Sequence, residues 1–418
     1  MKRIPVDIAV IGGGPAGLAA ALEAKRLGAE KVLLLERGME LGGILQQCIH
    51  DGFGIHRFHQ RLSGGEYAQR FIDRLPGSGI EVKLDTTALE VTPDRRVYAC
   101  SQRDGMMELQ CGAVILAMGC RERTASQALI YGDRPAGVLT AGAVQRYINV
   151  EGWLPGKRAV ILGSGDIGLI MARRMVLEGM EVEGVYELMP SPGALTRNIV
   201  QCLEDYNIPL HLSTTVTSVR GKQRVEAVTV AQVDAEGKPM PHTAREIPCD
   251  LLVLAVGLIP ENELSRRAGA EMHPLTKGPV LDENFMTSLP GIFAAGNVAA
   301  VFDLVDYVSQ SGEAAARGAV AYLRGELPPA AQWDAVAAGE NIRFVVPQRV
   351  CASRAHQGVF YLRVNAPRKG ARLLCEQQGT PLLDKAYRSV APAEMLAAPV
   401  AWNPGGGLRF SMEGGEAH

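Results

Sequence analysis

The stretch from residue 7 to residue 36 constrains the fold of this chain more than any other. It opens with a short apolar run rich in β-branched residues, which predicts a buried parallel strand. Gly12, Gly14 and Gly17 then fill the pattern G-x-G-x-x-G, ahead of an alanine- and leucine-rich run that predicts a helix. A second apolar run ends on Glu36, which lies 24 residues after Gly12 (36 − 12). Together these features predict a dinucleotide-binding β-α-β unit, for which the glycines alone would be weak support.

Each residue type in this pattern has a physical role in holding a pyrophosphate. Gly12 permits a tight turn, Gly14 lets the pyrophosphate approach the backbone, and Gly17 lets the helix pack close to the strand. Pro15 suits the first helical turn, where its missing N–H costs nothing. The free N–H groups at the helix start would face the pyrophosphate, and Glu36 would accept hydrogen bonds from a ribose diol.

The same pattern recurs further along the chain. A strand predicted to begin at Arg158 leads into a second G-x-G-x-x-G that starts at Gly163. The next predicted strand ends on Glu187, again 24 residues after the first glycine (187 − 163). Because the spacing is identical, we interpret the two stretches as an internal repeat. The chain is therefore predicted to hold two nucleotide-binding units, in two domains with one ligand each.

Composition and charge exclude several other classes of protein. The chain has 418 residues, 47% of them hydrophobic, and a net charge of −2, which does not favour a nucleic-acid or anionic-membrane surface. No run approaches the roughly 18 uncharged apolar residues of a membrane span. Eight scattered cysteines without a C-x-x-C pair are typical of a reducing cytoplasm and predict no disulfide framework. His50, His56 and His59 lie close in sequence, but their spacing favours no metal site.

Other segments predict individual elements. Ser63 and Glu66 have the spacing of a capping box and predict a helix start. Residues 113–119 predict a buried strand that ends in glycine, and residues 306–323 predict a long helix. Residues 328–339, which begin Pro-Pro and continue rich in alanine, predict a linker to a strand-rich tail with a frayed polar end.

These residues match a known family. Besides the two glycine patterns and their glutamates, the matching segments are Gly42-Gly43, Leu62-Ser63-Gly64, Ala117-x-Gly119, Ala255-x-Gly257 and Pro290 to Val298. The chain resembles the two-dinucleotide-binding-domain flavoproteins, and among them the thioredoxin-reductase-like branch. The resemblance runs from residue 1 to about residue 330 and is specific as a set.

The resemblance implies an α/β fold with two Rossmann-like dinucleotide-binding domains and a small β-rich C-terminal domain. FAD would bind a discontinuous domain made of residues 1–120 and 275–330. NAD(H) would bind the inserted domain, residues 121–274. Residues 340–418 would form the C-terminal domain, on which a partner could dock.

The resemblance also implies which residues contact each cofactor. FAD contacts are expected at Gly12, Gly14, Pro15, Ala16, Gly17, Glu36, Arg37, Gly43, Gln47, Ala117, Gly119, Gly296, Asn297, Tyr307 and Val308. NAD contacts are expected at Gly163, Gly165, Asp166, Ile167, Gly168, Glu187 and Gly257. Because a carboxylate pairs with a 2′-hydroxyl and repels a 2′-phosphate, Glu187 favours NADH. The helix from Asp306 would direct its positive end at the flavin pyrimidine ring.

Two departures from the family pattern bear on function. Asn297 stands where the family usually has Asp, although its carbonyl oxygen can still accept a hydrogen bond. The redox dithiol of disulfide reductases is absent, since Cys48 has no near partner and residues 125–200 contain no cysteine. Cys48 and His50 lie in the loop expected to pass the flavin, and both are candidate catalytic residues. Cys48 is either a lone sulfenate or a packed thiol, and His50 a flavin or substrate contact.

Without a dithiol, electrons that leave the flavin need an external acceptor. We therefore predict an FAD-dependent NADH:acceptor oxidoreductase, which is a cytoplasmic electron-transfer component of a multi-subunit dehydrogenase and an expected oligomer. Residues 48–54 and 302–308 resemble a subgroup encoded beside an anaerobic-type glycerol-3-phosphate dehydrogenase flavoprotein and a small cysteine-rich or iron–sulfur protein. These two proteins are the expected partners. The subgroup is also related to subunits of opine oxidase and hydrogen cyanide synthase.

Three alternatives stay open. One is a stand-alone NADH oxidase or peroxidase that uses Cys48. A second is a subunit of an opine or amino-acid dehydrogenase. The third is an FAD-binding scaffold without catalysis, which two intact nucleotide patterns disfavour.

Overall fold

The structure is a computed structural model that describes residues 2–328, 332–351 and 353–415. By internal packing the chain divides into two compact units. The first consists of the described residues of Met1–Gln46, Asp51–Cys120 and Pro260–His418, and the second of Gln47–His50 and Arg121–Ile259. The first unit is thus discontinuous, and its last segment begins at residue 260.

The helices are short except for the last. In the described residues they are α1 (Pro15–Arg26), α2 (Gly64–Ile72), α3 (Ala141–Asn149), α4 (Asp166–Leu177), α5 (Thr196–Cys202), α6 (Glu263–Arg267) and α7 (Val305–Leu323). Single 3₁₀ turns occupy Gly43–Gln47, Glu204–Tyr206, Pro241–Thr243 and Gly296–Val298. The predicted capping box is confirmed, since the Ser63 hydroxyl accepts from the Glu66 N–H and the Glu66 carboxylate accepts from the Ser63 N–H.

Strands make up most of the remaining regular structure. They are β1 (Lys2–Ile11), β2 (Val32–Leu35), β3 (Asp51–Phe53), β4 (Leu62–Ser63), β5 (Glu81–Lys83), β6 (Thr86–Val91), β7 (Arg96–Ser101), β8 (Gly105–Leu116), β9 (Cys120–Glu122), β10 (Tyr131–Gly132), β11 (Val138–Thr140), β12 (Arg158–Leu162), β13 (Glu181–Tyr186), β14 (Leu210–His211), β15 (Thr214–Arg220), β16 (Ala227–Gln232), β17 (Arg245–Pro248), β18 (Leu251–Leu254), β19 (Leu258–Pro260), β20 (Ile292–Ala294), β21 (Trp333–Ala338), β22 (Ile342–Val346), β23 (Arg349–Cys351), β24 (His356–Val364), β25 (Arg368–Gln377), β26 (Thr380–Val390), β27 (Leu396–Trp402) and β28 (Leu408–Glu413).

In the first unit, β1 lies in the middle of the main sheet. The strand order is β5-β2-β1-β8-β7-β6, and β20 also pairs with β8. β1 is parallel to both neighbours, so that Ile8 lies beside Val32 on one side and Ala113 on the other. The carboxyl ends of these buried strands therefore meet at one edge of the sheet, where the first glycine turn begins.

Residues 113–116 of the strand predicted at 113–119 are the end of a longer strand, β8, which begins at Gly105, and residues 117–119 follow it. Gly112 allows β8 to continue through this position as one strand. A β-carbon there would lie 2.9 Å from the carbonyl oxygen of Asp7 in β1 and 2.5 Å from the Leu323 side chain in α7. A glycine therefore permits a close approach of three elements at a point where the sequence pattern indicated a boundary.

The second unit repeats this arrangement with a smaller sheet. Its strand order is β11-β18-β12-β13-β14, and all of these pairs are parallel. Ile161 in the middle strand β12 lies beside Val185 and Val253. The second glycine turn thus begins at the same kind of sheet edge as the first. A separate sheet of order β10-β15-β16-β17 completes the unit.

The C-terminal tail is rich in strands, as predicted. Its two sheets have the orders β23-β21-β28-β25-β26 and β22-β24-β27, and Phe360, Trp402 and Phe410 pack between them in one core. The predicted linker is wrong from residue 333 on, because β21 pairs with β28 through Val336 and Leu408. Strand pairing here overrides the weak strand propensity of alanine. Residues 329–331 of that linker and the predicted frayed end at 416–418 lie outside the described residues.

The tail also shares the core of the first unit. Phe344, Val346, Tyr361 and Met395 are buried in the same cluster as Phe302. The predicted α/β class with two Rossmann-like folds and a β-rich C-terminal region is confirmed. No helix in the described residues is long and apolar enough to cross a membrane.

Candidate nucleotide-binding sites

Backbone packing holds the first glycine turn in place. Gly12 has a φ of 109°, and a β-carbon on it would lie 2.4 Å from the carbonyl oxygen of Ala117. A β-carbon on Gly17 would lie 1.8 Å from the carbonyl oxygen of Gly12. Such distances leave no room for a side chain at either glycine. The strand β1, the strand β8 and the helix α1 therefore meet at a point that only glycine permits.

Gly14 has different surroundings from these two glycines. No protein atom lies within 4 Å of the position where its β-carbon would be. Gly14 is also the N-cap of α1, which has no side-chain cap and begins with Pro15. The helix start thus presents unsatisfied N–H groups and a positive dipole end to an open space. Gly43 borders this space, since a β-carbon on it would lie 3.2 Å from Gly14 Cα. The cradle fits a pyrophosphate group.

The Glu36 carboxylate is fixed beside the same turn. One oxygen, Oε2, accepts a hydrogen bond from the Gly13 N–H at 2.7 Å, and the other accepts from the Gly38 N–H at 2.7 Å. A carboxylate has about four acceptor positions, so further donors such as a ribose diol can still bind. Arg37, the next residue, is exposed.

A second group of predicted FAD residues meets at the start of α7. A β-carbon on Gly296 would lie 2.8 Å from the Ala16 side chain and 3.2 Å from that of Val308. The adjacent Asn297 carbonyl oxygen accepts from the Phe302 N–H at 3.0 Å. This oxygen holds the 296–302 segment, and its second lone pair is still available to a ligand. Gly119 follows β8 and, like Gly14, has open space at its β-carbon position.

One buried carboxylate at this helix start was not anticipated as a site residue. Asp306 in the first turn of α7 is 3% exposed, and its Oδ2 accepts from the His56 N–H at 3.1 Å. Its Oδ1 is buried and has no hydrogen-bond partner among the described residues. Leaving a buried acceptor unsatisfied is costly, so a water or ligand is expected there. Tyr307 beside it packs between His56 and Tyr361, with ring centroids 6.2 Å and 5.4 Å away.

The structure does not group residues 47–50 with the other predicted FAD residues, because this segment belongs to the second unit. The Gln47 side chain donates to the Gly142 carbonyl at 2.9 Å and to the Gln145 side chain at 3.0 Å. The Cys48 thiol donates to the same Gln145 oxygen at 3.8 Å. Burial raises the pKa of Cys48 to about 12, which keeps the thiol neutral. His50 is half-buried.

The second glycine turn has the same geometry as the first. A β-carbon on Gly163 would lie 2.3 Å from the Ala255 carbonyl oxygen, and one on Gly168 would lie 2.7 Å from the Gly163 carbonyl oxygen. Gly165 has nothing within 4 Å and is the N-cap of α4, which also lacks a side-chain cap. The second unit therefore has its own open cradle at a helix N-terminus.

Glu187 takes the position that Glu36 has in the first unit. Its Oε2 accepts from the Ser164 N–H at 2.9 Å and its Oε1 accepts from the Met189 N–H at 2.9 Å. In addition the Ser164 hydroxyl donates to Oε2 at 2.6 Å. Ser164 was not anticipated as a site residue. The signal was present, because the first copy of the pattern has Gly13 at that place.

The remaining predicted NAD residues lie around this turn. The Asp166 carboxylate accepts from the Leu195 N–H at 3.0 Å and from the Asn198 side-chain amide at 2.6 Å. Ile167 is half-buried against the core. The Gly257 carbonyl accepts a hydrogen bond from the Arg123 N–H at 3.1 Å. Among the described residues, no group of three His, Cys, Asp or Glu side chains could hold a metal ion.

Two open glycine turns, each with a carboxylate at the end of the next strand, define a protein with two dinucleotide-binding units. Residues 6–320, which are 315 of the 418 residues (320 − 6 + 1), match the family described as Pyridine nucleotide-disulphide oxidoreductase. The chain belongs to this family. It is an oxidoreductase, and FAD and a nicotinamide nucleotide are the cofactors of the family.

Similar proteins agree with this assignment. The chain is 27% identical over 337 residues to an opine oxidase subunit of Agrobacterium tumefaciens, an alignment that covers 76% of this chain and 66% of that protein. It is 28% identical over 360 residues to the alpha subunit of the sarcosine oxidase of Rhizobium meliloti, covering 82% of this chain and 33% of that protein. The chain thus spans about two thirds of the first relative and one third of the second.

The fold is that of a solved thioredoxin reductase. The protein from Lactococcus lactis in its FR conformation matches with a TM-score of 0.62 at 21% identity, over 77% of this chain and 99% of the other. All eight cysteines of our chain lie in the described part, and none of them forms a disulfide there.

Proposed function

We propose that this protein is an FAD-dependent NADH:acceptor oxidoreductase and the electron-transfer component of a multi-subunit dehydrogenase. The first unit binds FAD and the second binds NADH. The observation that carries the proposal is the pairing of two open glycine turns with two equivalently bonded carboxylates, Glu36 and Glu187. The reducing compartment that we propose, the cytoplasm, agrees with eight cysteines that form no disulfide among the described residues.

In this proposal the protein binds and orients the two nucleotides. Bound FAD would supply the hydride and single-electron chemistry of the reaction. The N-termini of α1 and α4 would each hold a pyrophosphate. Glu36 and Glu187 would each accept hydrogen bonds from a ribose diol, and the charge of Glu187 would oppose the 2′-phosphate of NADPH.

The opine oxidase and sarcosine oxidase relatives are both named as subunits, which supports a partner for this chain as well. A flavoprotein that oxidises glycerol 3-phosphate is the partner that we propose, together with a small cysteine-rich or iron–sulfur protein. The tail would provide the surface on which the partner docks. β26 is the edge strand of a tail sheet, and most residues of this strand are exposed.

The names of these relatives also favour a second candidate function. An opine or amino-acid dehydrogenase built from this chain and a catalytic partner would use the same two nucleotide sites. The stand-alone peroxidase alternative has less support, because it needs a Cys48 thiolate and burial raises the pKa of this thiol to about 12.

Anaerobic titration of the purified, FAD-loaded protein with NADH tests the core of the proposal. We expect NADH to bleach the flavin absorbance. In steady-state assays with an artificial electron acceptor, we expect kcat/KM to be at least ten times higher for NADH than for NADPH. Failure of NADH to bleach the flavin would contradict the proposed oxidoreductase role. Comparable kcat/KM values for the two nucleotides would contradict only the assignment of Glu187.

A second experiment addresses the partner. We expect purification from the native host to yield a second flavoprotein chain, whose complex with this one reduces a dye with glycerol 3-phosphate. Dye reduction with an opine or amino acid in place of glycerol 3-phosphate would support the second candidate. A chain that purifies alone and turns over NADH rapidly with oxygen or peroxide would contradict the proposed role in a complex.

A further inference from the structure

The second unit has a contact that its counterpart in the first unit lacks. The Ser164 side chain is fully buried, and its hydroxyl makes two hydrogen bonds. It donates to Glu187 Oε2 at 2.6 Å and accepts from the Gly193 N–H at 2.8 Å. Gly13, the corresponding residue of the first unit, has no side chain and can contribute only its backbone N–H to Glu36. The hydroxyl therefore joins the carboxylate to a segment that follows it in the chain.

This segment, residues 188–195, lies directly against the glycine turn. A β-carbon on Gly193 would lie 3.7 Å from the Ser164 hydroxyl oxygen and 3.8 Å from the Gly165 nitrogen, which is van der Waals contact. A second tie holds the same segment, because the Leu195 N–H donates to the Asp166 carboxylate at 3.0 Å. Two residues of the glycine pattern thus bind the segment that follows Glu187.

The position of these atoms matters for a bound nucleotide. A carboxylate at the end of the second strand of such a unit faces the 2′-oxygen of the adenosine ribose. A phosphate on that oxygen would need space and hydrogen-bond donors next to the carboxylate. On this side, the Ser164 hydroxyl is already within hydrogen-bond distance of both the Glu187 oxygen and the Gly193 N–H. Two donors beside the carboxylate, the Ser164 hydroxyl and the Gly193 N–H, are thus used within the protein.

We propose that Ser164 is a specificity residue that excludes the 2′-phosphate of NADPH. It acts by fixing the Glu187 carboxylate towards the ribose and by holding the Gly193 backbone in the adjoining space. The inference rests on the proposed function, since it assumes that the second unit binds the nicotinamide nucleotide. The charge of Glu187 alone does not suffice to discriminate against NADPH, and the hydroxyl of Ser164 is also required.

Calorimetric titration of the FAD-loaded protein with NAD⁺ and NADP⁺ tests the inference without relying on turnover. Hydrogen bonds to charged groups typically change an equilibrium by a factor of about ten to a hundred. For Ser164→Ala we therefore expect the ratio of the Kd of NADP⁺ to that of NAD⁺ to fall at least tenfold. Ser126→Ala, an exposed serine of the same unit, is the matched control and should leave the ratio unchanged.

Glu187→Gln separates this inference from the proposed function. If Glu187→Gln lowers the ratio and Ser164→Ala does not, the role of Ser164 is refuted and the nucleotide assignment stands. If neither variant changes the ratio, both the inference and the assignment of Glu187 fail. Thermal unfolding and flavin content establish that each variant is folded. Ser164→Gly, the residue found at this position in the first unit, replaces the alanine variant if that variant does not fold.

Discussion

The β-carbon position of Gly17 lies 1.8 Å from the carbonyl oxygen of Gly12. This distance shows that one glycine of the pattern serves helix–strand packing and leaves no space for any side chain. Gly14, in the same turn, has nothing within 4 Å of its β-carbon position. The two roles that the sequence pattern implies, close packing and ligand approach, are therefore separated in the structure and can be tested separately.

Substitution of Gly14 by alanine is expected to remove FAD without unfolding the protein. Its φ of −78° and ψ of −174° suit alanine, and the added methyl group would project into open space. We expect the Kd for FAD to rise at least tenfold, while the free energy of unfolding of the FAD-free protein changes by less than about 1 kcal/mol. Flavin content after gel filtration and urea denaturation measure the two quantities.

Gly165→Ala is the matched variant in the second unit. The backbone at Gly165 also suits alanine, with φ of −66° and ψ of 160°, and its β-carbon position is also open. We expect this variant to retain FAD and to lose affinity for NADH. Loss of FAD from Gly165→Ala together with retention by Gly14→Ala would show that the two ligands are assigned to the wrong units.

Cys48 is expected to be dispensable for electron transfer. Burial raises the pKa of its thiol to about 12, so that almost none of it is thiolate at pH 7 to 8. Cys48→Ser should change the rate of NADH-dependent dye reduction less than twofold. Iodoacetamide at pH 8 should leave Cys48 unmodified in the folded protein and modify it in urea, as mass spectrometry would show. A variant that loses peroxide-dependent NADH oxidation but keeps dye reduction would instead establish Cys48 as a redox group.

The stability of the protein should depend on the titration of Asp282. Burial, and next the neighbouring charge of Glu283, raise the pKa of Asp282 from 3.8 to about 7. A group with a raised pKa stabilises the folded state fully below its unfolded pKa, and this contribution is lost as the pH rises through about 7. Asn cannot ionise, so Asp282→Asn should gain stability relative to the wild type between pH 5 and pH 8.

The expected gain is on the order of 1.4 kcal/mol per pH unit across the lower part of that interval. Guanidinium denaturation at the two pH values measures it. Asp205 is exposed, and Asp205→Asn serves as the control. We expect its effect on the free energy of unfolding to be the same at both pH values. Equal effects of Asp282→Asn at both pH values would mean that Asp282 is already ionised at pH 5.

The tail should be required for the stability of the first unit. The Arg363 guanidinium donates to the carbonyl of Pro392 at 2.9 Å, to that of Ala393, and to that of Val301 at 3.2 Å, and it lies 3.7 Å from the Asp303 carboxylate. Arg363→Ala removes a cation that is mostly buried and should lower the free energy of unfolding by about 3 kcal/mol. The exposed Arg388→Ala should change it by less than about 0.5 kcal/mol.

Such a loss in Arg363→Ala within a single cooperative transition would show that the tail folds together with the residues before α7. A variant that unfolds in two separate transitions, with the second unchanged from the wild type, would instead identify the tail as an independent domain. Urea denaturation followed by circular dichroism distinguishes these outcomes.

Local patterns were sufficient to predict a large part of this protein. The two glycine turns, the strand ends at Glu36 and Glu187 and the capping box at Ser63 each have a signature within one continuous stretch of sequence. The residue types that tight turns and helix ends require can be read within such a stretch. For this reason the α/β class and the internal repeat could be predicted before any contact was known.

The sequence itself therefore determined that the chain has two dinucleotide-binding units and which glycines form them. Only the tertiary structure decided that Gln47 and Cys48 pack against the 141–149 helix and that Ser164 holds Glu187. It also placed Tyr361 in the core of the first unit. These contacts join residues that are distant in the chain, and their formation depends on how strands pair and side chains fill space, which no local pattern encodes.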